Sequence, residues 1–144
     1  KAYALSDFRP AYPSCAPDAA ARIVERTPPW IIGTSALAAA AAAVEARPYY
    51  EPLWRETGRR VAAFAQALRE LGLRATSGHL GAVLVEAPGS MSAAAWAAAL
   101  AKAGLIVRTP EGMGETLGDR YVRISLIEPQ RMPRVLEIVR QCLP

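Results

Sequence analysis

The hydrophobic pattern of this chain changes its period at Gly72, and that change limits the fold more than any other feature. Before Gly72, a segment from Tyr49 to Leu71 predicts the longest helix of the chain. Its apolar stripe consists of Leu53, Val61, Phe64, Ala65 and Leu68. After Gly72, short apolar runs are bracketed by glycine and proline, which is typical of strands. The two periods together indicate an α/β fold.

Downstream of residue 72 the pattern predicts both strands and helices. The predicted strands are LRAT at 73–76, GAVLVEAP at 81–88, LIVRT at 105–109 and YVRISLI at 121–127. Between the second and third strands, Ser92 is expected to cap a helix that Gly104 stops. A last helix is predicted to open at Pro129 and to run to about Cys142. This order indicates a sheet with helices packed on one face.

The first 47 residues predict helices but no sheet of their own. A helix is expected over 17–26, where a proline suits the first turn. A second helix, capped by Thr34 or Ser35, is expected to run through Ala46. Residues 1–47 therefore resemble the end of a larger domain. Residues 48–144, which include the long helix, are expected to form a small domain.

The charges of the chain are mixed and spread along its length. The 17 Lys and Arg against 13 Asp and Glu give a formal net charge of +4. No basic cluster is interleaved with aromatic residues, so nucleic acid is not an expected partner. The alanine-rich run SALAAAAAAVEA is too short and too weakly hydrophobic to cross a bilayer, so no membrane association is expected either.

Cysteine and histidine are too sparse to predict a metal site. Cys15 and Cys142 lie near opposite ends of the chain, and the single histidine is His79. None of them stands at a spacing that metal ligands use, so no metal is expected. Free thiols in a cytoplasmic protein are the default expectation, although the sequence leaves a disulfide between the two cysteines open.

Some basic residues have chemistry that a binding or catalytic site could use. Lys1 can form a Schiff base with an aldehyde if its amine is deprotonated. Arg108 and Arg123 each end or interrupt an apolar strand pattern, and a planar guanidinium group binds carboxylates and phosphates through two hydrogen bonds. Taken singly, each of these residues, like Arg9, can equally be a solvent-exposed charge.

The segment KAYALSDFRPAY resembles the stretch around the cofactor lysine of class I/II aminotransferases, the fold-type I enzymes that use pyridoxal phosphate. Within that family it is most similar to the histidinol-phosphate aminotransferase and threonine-phosphate decarboxylase branch. The family motif, with an arginine eight positions after the lysine, is matched by Lys1, Leu5, Arg9 and Tyr12. The similarity continues in order through PPW, YYEPLWRETGRRVAAFAQALRELGL, GLIVRTPEGMG and YVRISL.

The resemblance implies a role for each basic residue. Lys1 would hold pyridoxal 5′-phosphate as a Schiff base and would move the proton between the substrate's α-carbon and the cofactor. Arg9 would bind the cofactor phosphate. Arg123 would bind the substrate's α-carboxylate, and Arg108 would meet a distal phosphate of the substrate.

The resemblance also implies that the chain is the C-terminal part of a longer enzyme. Residues 1–47 would end the large cofactor-binding domain, and residues 48–144 would be the small domain with its linking helix. The family's other cofactor contacts are expected upstream of Lys1, so this piece alone is expected to be inactive. The whole enzyme would be a homodimer that acts on an amino acid and a 2-oxo acid.

The chain departs from the family pattern in two places. DF precedes Arg9 and PA follows it, where family members usually have small residues and a glycine, so the path of this loop stays open. The frequent Asn-Phe beside the second strand of the small domain is absent from SGHLGAVLV. Because these positions help to shape substrate choice, the substrate stays open as well.

Three functions remain as alternatives. The first is an aminotransferase for an amino acid, one that can be phosphorylated or otherwise anionic. The second uses the same cofactor for decarboxylation or for other lyase or oxidase chemistry. The third is a non-catalytic α/β module that binds an anion or a partner helix, in which case Lys1 has no chemical role.

Overall fold

A mixed set of helices and strands makes up the computed structural model, which describes residues 2–111 and 117–144. The helices are α1 (Pro17–Arg26), α2 (Thr34–Glu45), α3 (Arg47–Glu70), α4 (Ala93–Lys102) and α5 (Met132–Gln141), and a 3₁₀ turn (Pro129–Arg131) precedes α5. The strands are β1 (Ala75–Ser77), β2 (Ala82–Glu86) and β3 (Tyr121–Ser125). The chain divides into two compact units, Lys1–Trp54 and Arg55–Pro144. The assignment of residues 1–47 and 48–144 to a large and a small domain stays a prediction.

The first unit buries little apolar surface of its own. Both predicted helices of this region are present, α1 with the expected bounds and α2 over Thr34–Glu45. The predicted cap of α2 is wrong, because Gly33 occupies the N-cap position and no side chain caps the helix. All ten described residues of α1 are outside the core, whereas α2 buries Ala36 and Ala43. Large apolar side chains stay exposed in this unit, with Trp30 and Val24 among them.

α3 ends at a glycine, as the sequence predicts. Gly72 has a φ of +83°, a left-handed conformation that glycine adopts without steric cost. Its N–H donates to the carbonyl of Arg69 at 2.8 Å, and the N–H of Leu73 donates to the carbonyl of Leu68 at 3.2 Å. These two bonds form a Schellman motif, which satisfies the last carbonyls of the helix and turns the chain toward β1.

The sheet of the second unit is antiparallel, and β2 lies between β1 and β3. Adjacent residues of a strand point to opposite faces, so the register assigns each side chain to a face. The buried face carries Ala75, Val83, Val85, Val122 and Ile124. The opposite face carries more polar residues and is only partly covered.

The buried face of the sheet belongs to a core that the helices of the second unit complete. α3 contributes Val61, Phe64, Ala65 and Leu68; α4 contributes Ala93, Trp96 and Leu100; α5 contributes Val135, Ile138 and Val139. Ser92 caps α4, since its hydroxyl accepts a hydrogen bond from the N–H of Ala95 at 3.1 Å. The predicted layer of helices on one face of a sheet is therefore confirmed.

The predicted strand LIVRT at 105–109 is wrong in extent, because the chain pairs with β3 at a single bridge. Arg108 pairs with Arg123, while residues 105–107 have no strand partner in the described structure. In an antiparallel ladder the next hydrogen-bonded pair would be Pro110 and Tyr121. Proline has no N–H to donate, so the ladder does not continue past Arg108 toward the C-terminus. Nothing in the structure explains why residues 105–107 on the other side of the bridge stay unpaired. Part of the predicted glycine-rich loop at 110–119 lies outside the described residues.

Candidate functional site

The two arginines that were predicted to bind substrate are direct neighbours across the sheet. The N–H of Arg108 donates to the carbonyl of Arg123 at 3.1 Å, and the N–H of Arg123 donates to the carbonyl of Arg108 at 2.8 Å. Residues that exchange both backbone bonds in an antiparallel pair have their side chains on the same face, with Cβ atoms about 5.5 Å apart. The fold therefore brings the two guanidinium groups to one face.

Arg108 and Arg123 face away from the apolar core. Arg123 pairs with Leu84 of β2, and Leu84 pairs with Thr76 of β1, so these residues form one row across the partly covered face. Along β3, the neighbours of Arg123 are the core residues Val122 and Ile124, which point the other way. In this row, the apolar side chain of Leu84 lies beside the guanidinium groups of Arg123 and Arg108.

Among the described contacts, no acidic side chain forms an ion pair with Arg108 or Arg123. Like charges at directly opposite positions of a sheet destabilise it. Arg123 is half-buried, and its Nε is a buried donor without a hydrogen-bond partner among the residues described. Arg108 is exposed. An anion bound by both groups would supply the missing acceptor and reduce the repulsion between them.

Glu86, the buried acid on the same face of the sheet, binds two other arginines. Glu86 ends β2, and its carboxylate accepts hydrogen bonds from Arg74 and from Arg120, the latter at 3.0 Å. These bonds lower the pKa of Glu86, with Arg74 as the larger cause, and the same contact raises the pKa of Arg74. Glu86 therefore acts as an ionised partner of a structural cluster.

Arg120 ties that cluster to the chain between β2 and α4. Its guanidinium group donates to the carbonyls of Met91 at 3.2 Å and Gly89 at 3.1 Å, in addition to the Glu86 carboxylate. In the Arg74–Glu86–Arg120 cluster, the carboxylate of Glu86 and the guanidinium group of Arg120 bind protein groups, whereas the side chain of Arg74 is mostly exposed. The cluster is therefore a structural element of the second unit.

Arg9, the predicted phosphate ligand, lies in the first unit in a strained conformation. Its φ is +54°, which costs a residue with a side chain about 1–2 kcal/mol. The guanidinium group is exposed, and its Nη1 donates to the carbonyl of Ser6 at 3.3 Å. An exposed guanidinium group can bind a phosphate through charge-assisted hydrogen bonds, and the role of Arg9 as a phosphate ligand stays a prediction.

Lys1, the predicted cofactor lysine, lies outside the described residues. The residues that follow it are held against the first turns of α3. Trp54 donates its Nε1–H to the carbonyl of Ala2 at 2.7 Å, and the ring of Tyr3 packs against the rings of Tyr50 and Trp54. Sequence reasoning missed this contact. The YYEPLW segment carries a signal, since Tyr50 and Trp54 are four residues apart and share one helix face.

The remaining residues considered from the sequence are His79, Cys15 and Cys142. His79 is exposed in the turn between β1 and β2, as the sequence predicts for a loop histidine. Cys15 and Cys142 are free thiols. Across 2–111 and 117–144, no three His, Cys, Asp or Glu side chains lie close enough to hold a metal ion. In the same part of the chain, none of the helices combines the length and apolar character that a bilayer crossing requires.

Solved structures with a similar fold include enzymes of the predicted kind. No protein-family model matches the chain, and neither does any curated protein sequence. A threonine-phosphate decarboxylase from Porphyromonas gingivalis superimposes with a TM-score of 0.78 at 20% identity, covering 97% of this chain and 43% of that one. The histidinol-phosphate aminotransferase from Clostridium acetobutylicum gives a TM-score of 0.67 at 25% identity, covering 86% and 37%. A protein of Burkholderia pseudomallei assigned as an aminotransferase gives 0.67 at 25% identity, covering 84% and 36%.

These similarities identify the fold. The chain is a mixed α/β fragment with the fold of the fold-type I pyridoxal-phosphate enzymes, so the predicted fold class is confirmed. It spans about two fifths of the length of the structures that it matches. The fold is common to aminotransferases and to a decarboxylase, and therefore does not select one reaction.

Proposed function

We propose that this chain belongs to a longer pyridoxal-phosphate-dependent aminotransferase that acts on an anionic amino acid and a 2-oxo acid. The observation that carries the proposal is the Arg108–Arg123 bridge, which gives a fragment of this fold two adjacent guanidinium groups on one sheet face. The partial coverage of the similar structures supports a longer parent protein. A cytoplasmic homodimer is the proposed form of that parent.

The proposed chemistry assigns one task to each basic residue. Bound pyridoxal phosphate supplies an aldehyde and an electron sink for the substrate's α-carbon. Lys1 would hold the cofactor through its amine, and the same amine would move a proton at the substrate's α-carbon. Arg9 supplies guanidinium donors to the cofactor phosphate, a task for which its exposed side chain is suited.

The arginine pair is proposed to bind the substrate. Arg123 takes the α-carboxylate, because its half-buried guanidinium group has an unused Nε donor. Arg108, exposed beside it, takes a second anionic group such as a phosphate on the substrate side chain. Two adjacent cations favour a substrate with two anionic groups over one with a single carboxylate.

The test uses the full-length enzyme with amino acids that do or do not carry a side-chain phosphate. Replacing Arg123 by Ala should raise KM for every amino acid substrate by about 10- to 100-fold, the effect of losing a charge-assisted hydrogen bond. Replacing Arg108 by Ala should raise KM mainly for the phosphorylated substrate. Arg140→Ala, on the exposed side of α5, is the matched control and should leave both values unchanged.

The products distinguish the proposed reaction from its alternatives. Formation of a 2-oxo acid from the amino donor supports an aminotransferase, whereas carbon dioxide release identifies a decarboxylase of the same fold. Absence of both products, together with anion binding that the arginine variants lose, would favour a non-catalytic module that binds an anion. An Arg123→Ala enzyme with unaltered kinetics would remove that residue from the site.

A further inference from the structure

We propose that an apolar groove in the first unit is covered by a segment of the parent chain that precedes Lys1. The inference rests on the longer parent protein of the proposed function and adds an interaction surface to it. The groove has a volume of about 180 Å³, and none of its lining residues carries a charge. All of them belong to the first unit, and they include Tyr3, Leu5, Tyr12, Ile32, Leu37 and Val44.

The first unit exposes far more apolar surface than the second. Among the described residues, the exposed large apolar side chains all lie in the first unit except Leu80 and Ile106. The second unit, by contrast, closes a core between its sheet and its helices. A contiguous exposed apolar surface is typical of a face that another polypeptide covers. The first unit therefore needs a covering element that the second unit already has.

Helix α2 forms one wall of the groove and lacks a polar face. Its polar residues are confined to its first two positions and its last one. One side of α2 buries Ala36 and Ala43, whereas Leu37, Ala40 and Val44 recur at helical spacing on the groove side. Leu37 and Val44 are still 55% and 51% exposed. A helix that is apolar all round is normally buried on all sides, so the groove side of α2 requires a cover.

The size of the groove favours a polypeptide over a small molecule. Ligand pockets typically enclose about 300–1,000 Å³ and contain a few polar groups that orient the ligand. This groove is smaller, and its lining side chains offer only the hydroxyl groups of Tyr3 and Tyr12. Its occupant is therefore expected to be a segment that turns apolar side chains toward α2.

The start of the described chain forms another wall of the groove. Tyr3 and Leu5 line it, and each residue toward the N-terminus extends the chain by at most about 3.6 Å. A segment shortly upstream of Lys1 is therefore tethered beside the groove, an effective concentration that a second copy in solution does not have. This chain covers 36% to 43% of the similar solved structures, so a parent of that size has enough chain to supply the cover.

The experiment places a photoreactive benzoylphenylalanine in place of Leu37 in the full-length protein. The control places the same group at Leu80 of the second unit, since the two leucines have similar exposures of 55% and 64%. After irradiation, a denaturing gel separates links within one chain from links between chains, and mass spectrometry identifies the joined peptides. The probe at position 37 should join a peptide upstream of Lys1 without doubling the mass of the chain. The probe at position 80 should not join that peptide.

The other outcomes overturn the inference. A product of twice the chain mass from the probe at position 37 would assign the groove to a second copy. Links confined to residues 1–144, or no link at all, would show that no upstream segment covers it. Because the readout needs no cofactor, an upstream link in a protein that forms neither a 2-oxo acid nor carbon dioxide would overturn the proposed function alone. An active enzyme without the link would overturn this inference alone.

Hydroxyl-radical footprinting of the unmodified full-length protein keeps the inference testable if the variant at position 37 does not fold. Leu37 and Leu80 have the same side chain and similar exposure, so an open groove would give them similar oxidation rates. A segment that covers the groove should slow the oxidation of Leu37 relative to Leu80 by at least about threefold. Equal rates at the two leucines would overturn the inference.

Discussion

Arg108 and Arg123 exchange both backbone hydrogen bonds across the sheet, at 3.1 and 2.8 Å, so two guanidinium groups share one face of the second unit. This pairing does not stabilise the sheet, because like charges at directly opposite positions repel each other. An anion bound by both guanidinium groups would offset this repulsion. This relationship supports the proposed substrate site and leads to the first prediction.

Replacement of Arg108 by Ala should stabilise the protein in chloride buffer, because it relieves the repulsion with Arg123 by about 0.2–1 kcal/mol. Phosphate at equal ionic strength should stabilise the unmodified protein more than the variant, since an anion that binds the folded state shifts unfolding. Thermal unfolding in the two buffers measures both effects. An equal response to phosphate in both proteins would contradict a shared anion site.

Two glycines should respond to alanine in opposite directions. Gly72 has a φ of +83°, so Gly72→Ala should destabilise the protein by about 1–2 kcal/mol. Gly58 lies inside α3 with open space around its Cα, so Gly58→Ala should stabilise it by about 0.5–1 kcal/mol. Denaturant unfolding gives both values. A Gly72→Ala variant that is at least as stable as the unmodified protein would contradict the conformational account of Gly72.

Glu86 should make the free energy of unfolding decrease at acidic pH. Arg74 and Arg120 lower the pKa of its carboxyl in the folded protein. The resulting stabilisation is complete above the ordinary carboxyl pKa and is lost as the pH falls through the lower folded value. Unfolding measured from about pH 7 down to about pH 3 should show a shallower acid dependence in Glu86→Gln than in the unmodified protein. The control Glu137→Gln, an exposed ion-pair member, should keep the original slope.

The core of the second unit should tolerate truncation poorly. Leu68 is fully buried between helix and sheet, so Leu68→Ala should cost about 2–5 kcal/mol through lost burial and the cavity left behind. Leu80 is mostly exposed, and Leu80→Ala should change stability by less than about 0.5 kcal/mol. Denaturant midpoints of the two variants provide the comparison. Similar losses in both would contradict the described core.

Sequence reasoning located the features that local chemistry determines. Gly72 and Gly104 both have positive φ values just after a helix, and Ser92 caps α4 through its hydroxyl, as expected from residue type and position. Four members of the predicted stripe on α3 are buried in the core, namely Val61, Phe64, Ala65 and Leu68. The prediction was wrong for Leu53, which is exposed. These signals are local, so one sequence is enough to detect them.

Contacts between distant residues were harder to predict. The pairing of Arg108 with Arg123 depends on strand register, which no local signal determines for a one-pair bridge. The bond from Trp54 to Ala2 depends on how α3 packs on the start of the chain. The roles of Lys1 and Arg9 came from a resemblance and stay predictions.

Reductive trapping of the full-length protein tests the central claim most directly. The protein would be loaded with pyridoxal phosphate, reduced with borohydride and digested, and the peptide that contains Lys1 would be weighed by mass spectrometry. The account predicts the mass of one reduced cofactor on Lys1, with loss of the visible absorption. A protein that stays colourless on loading, or a cofactor mass confined to other lysines, would contradict it.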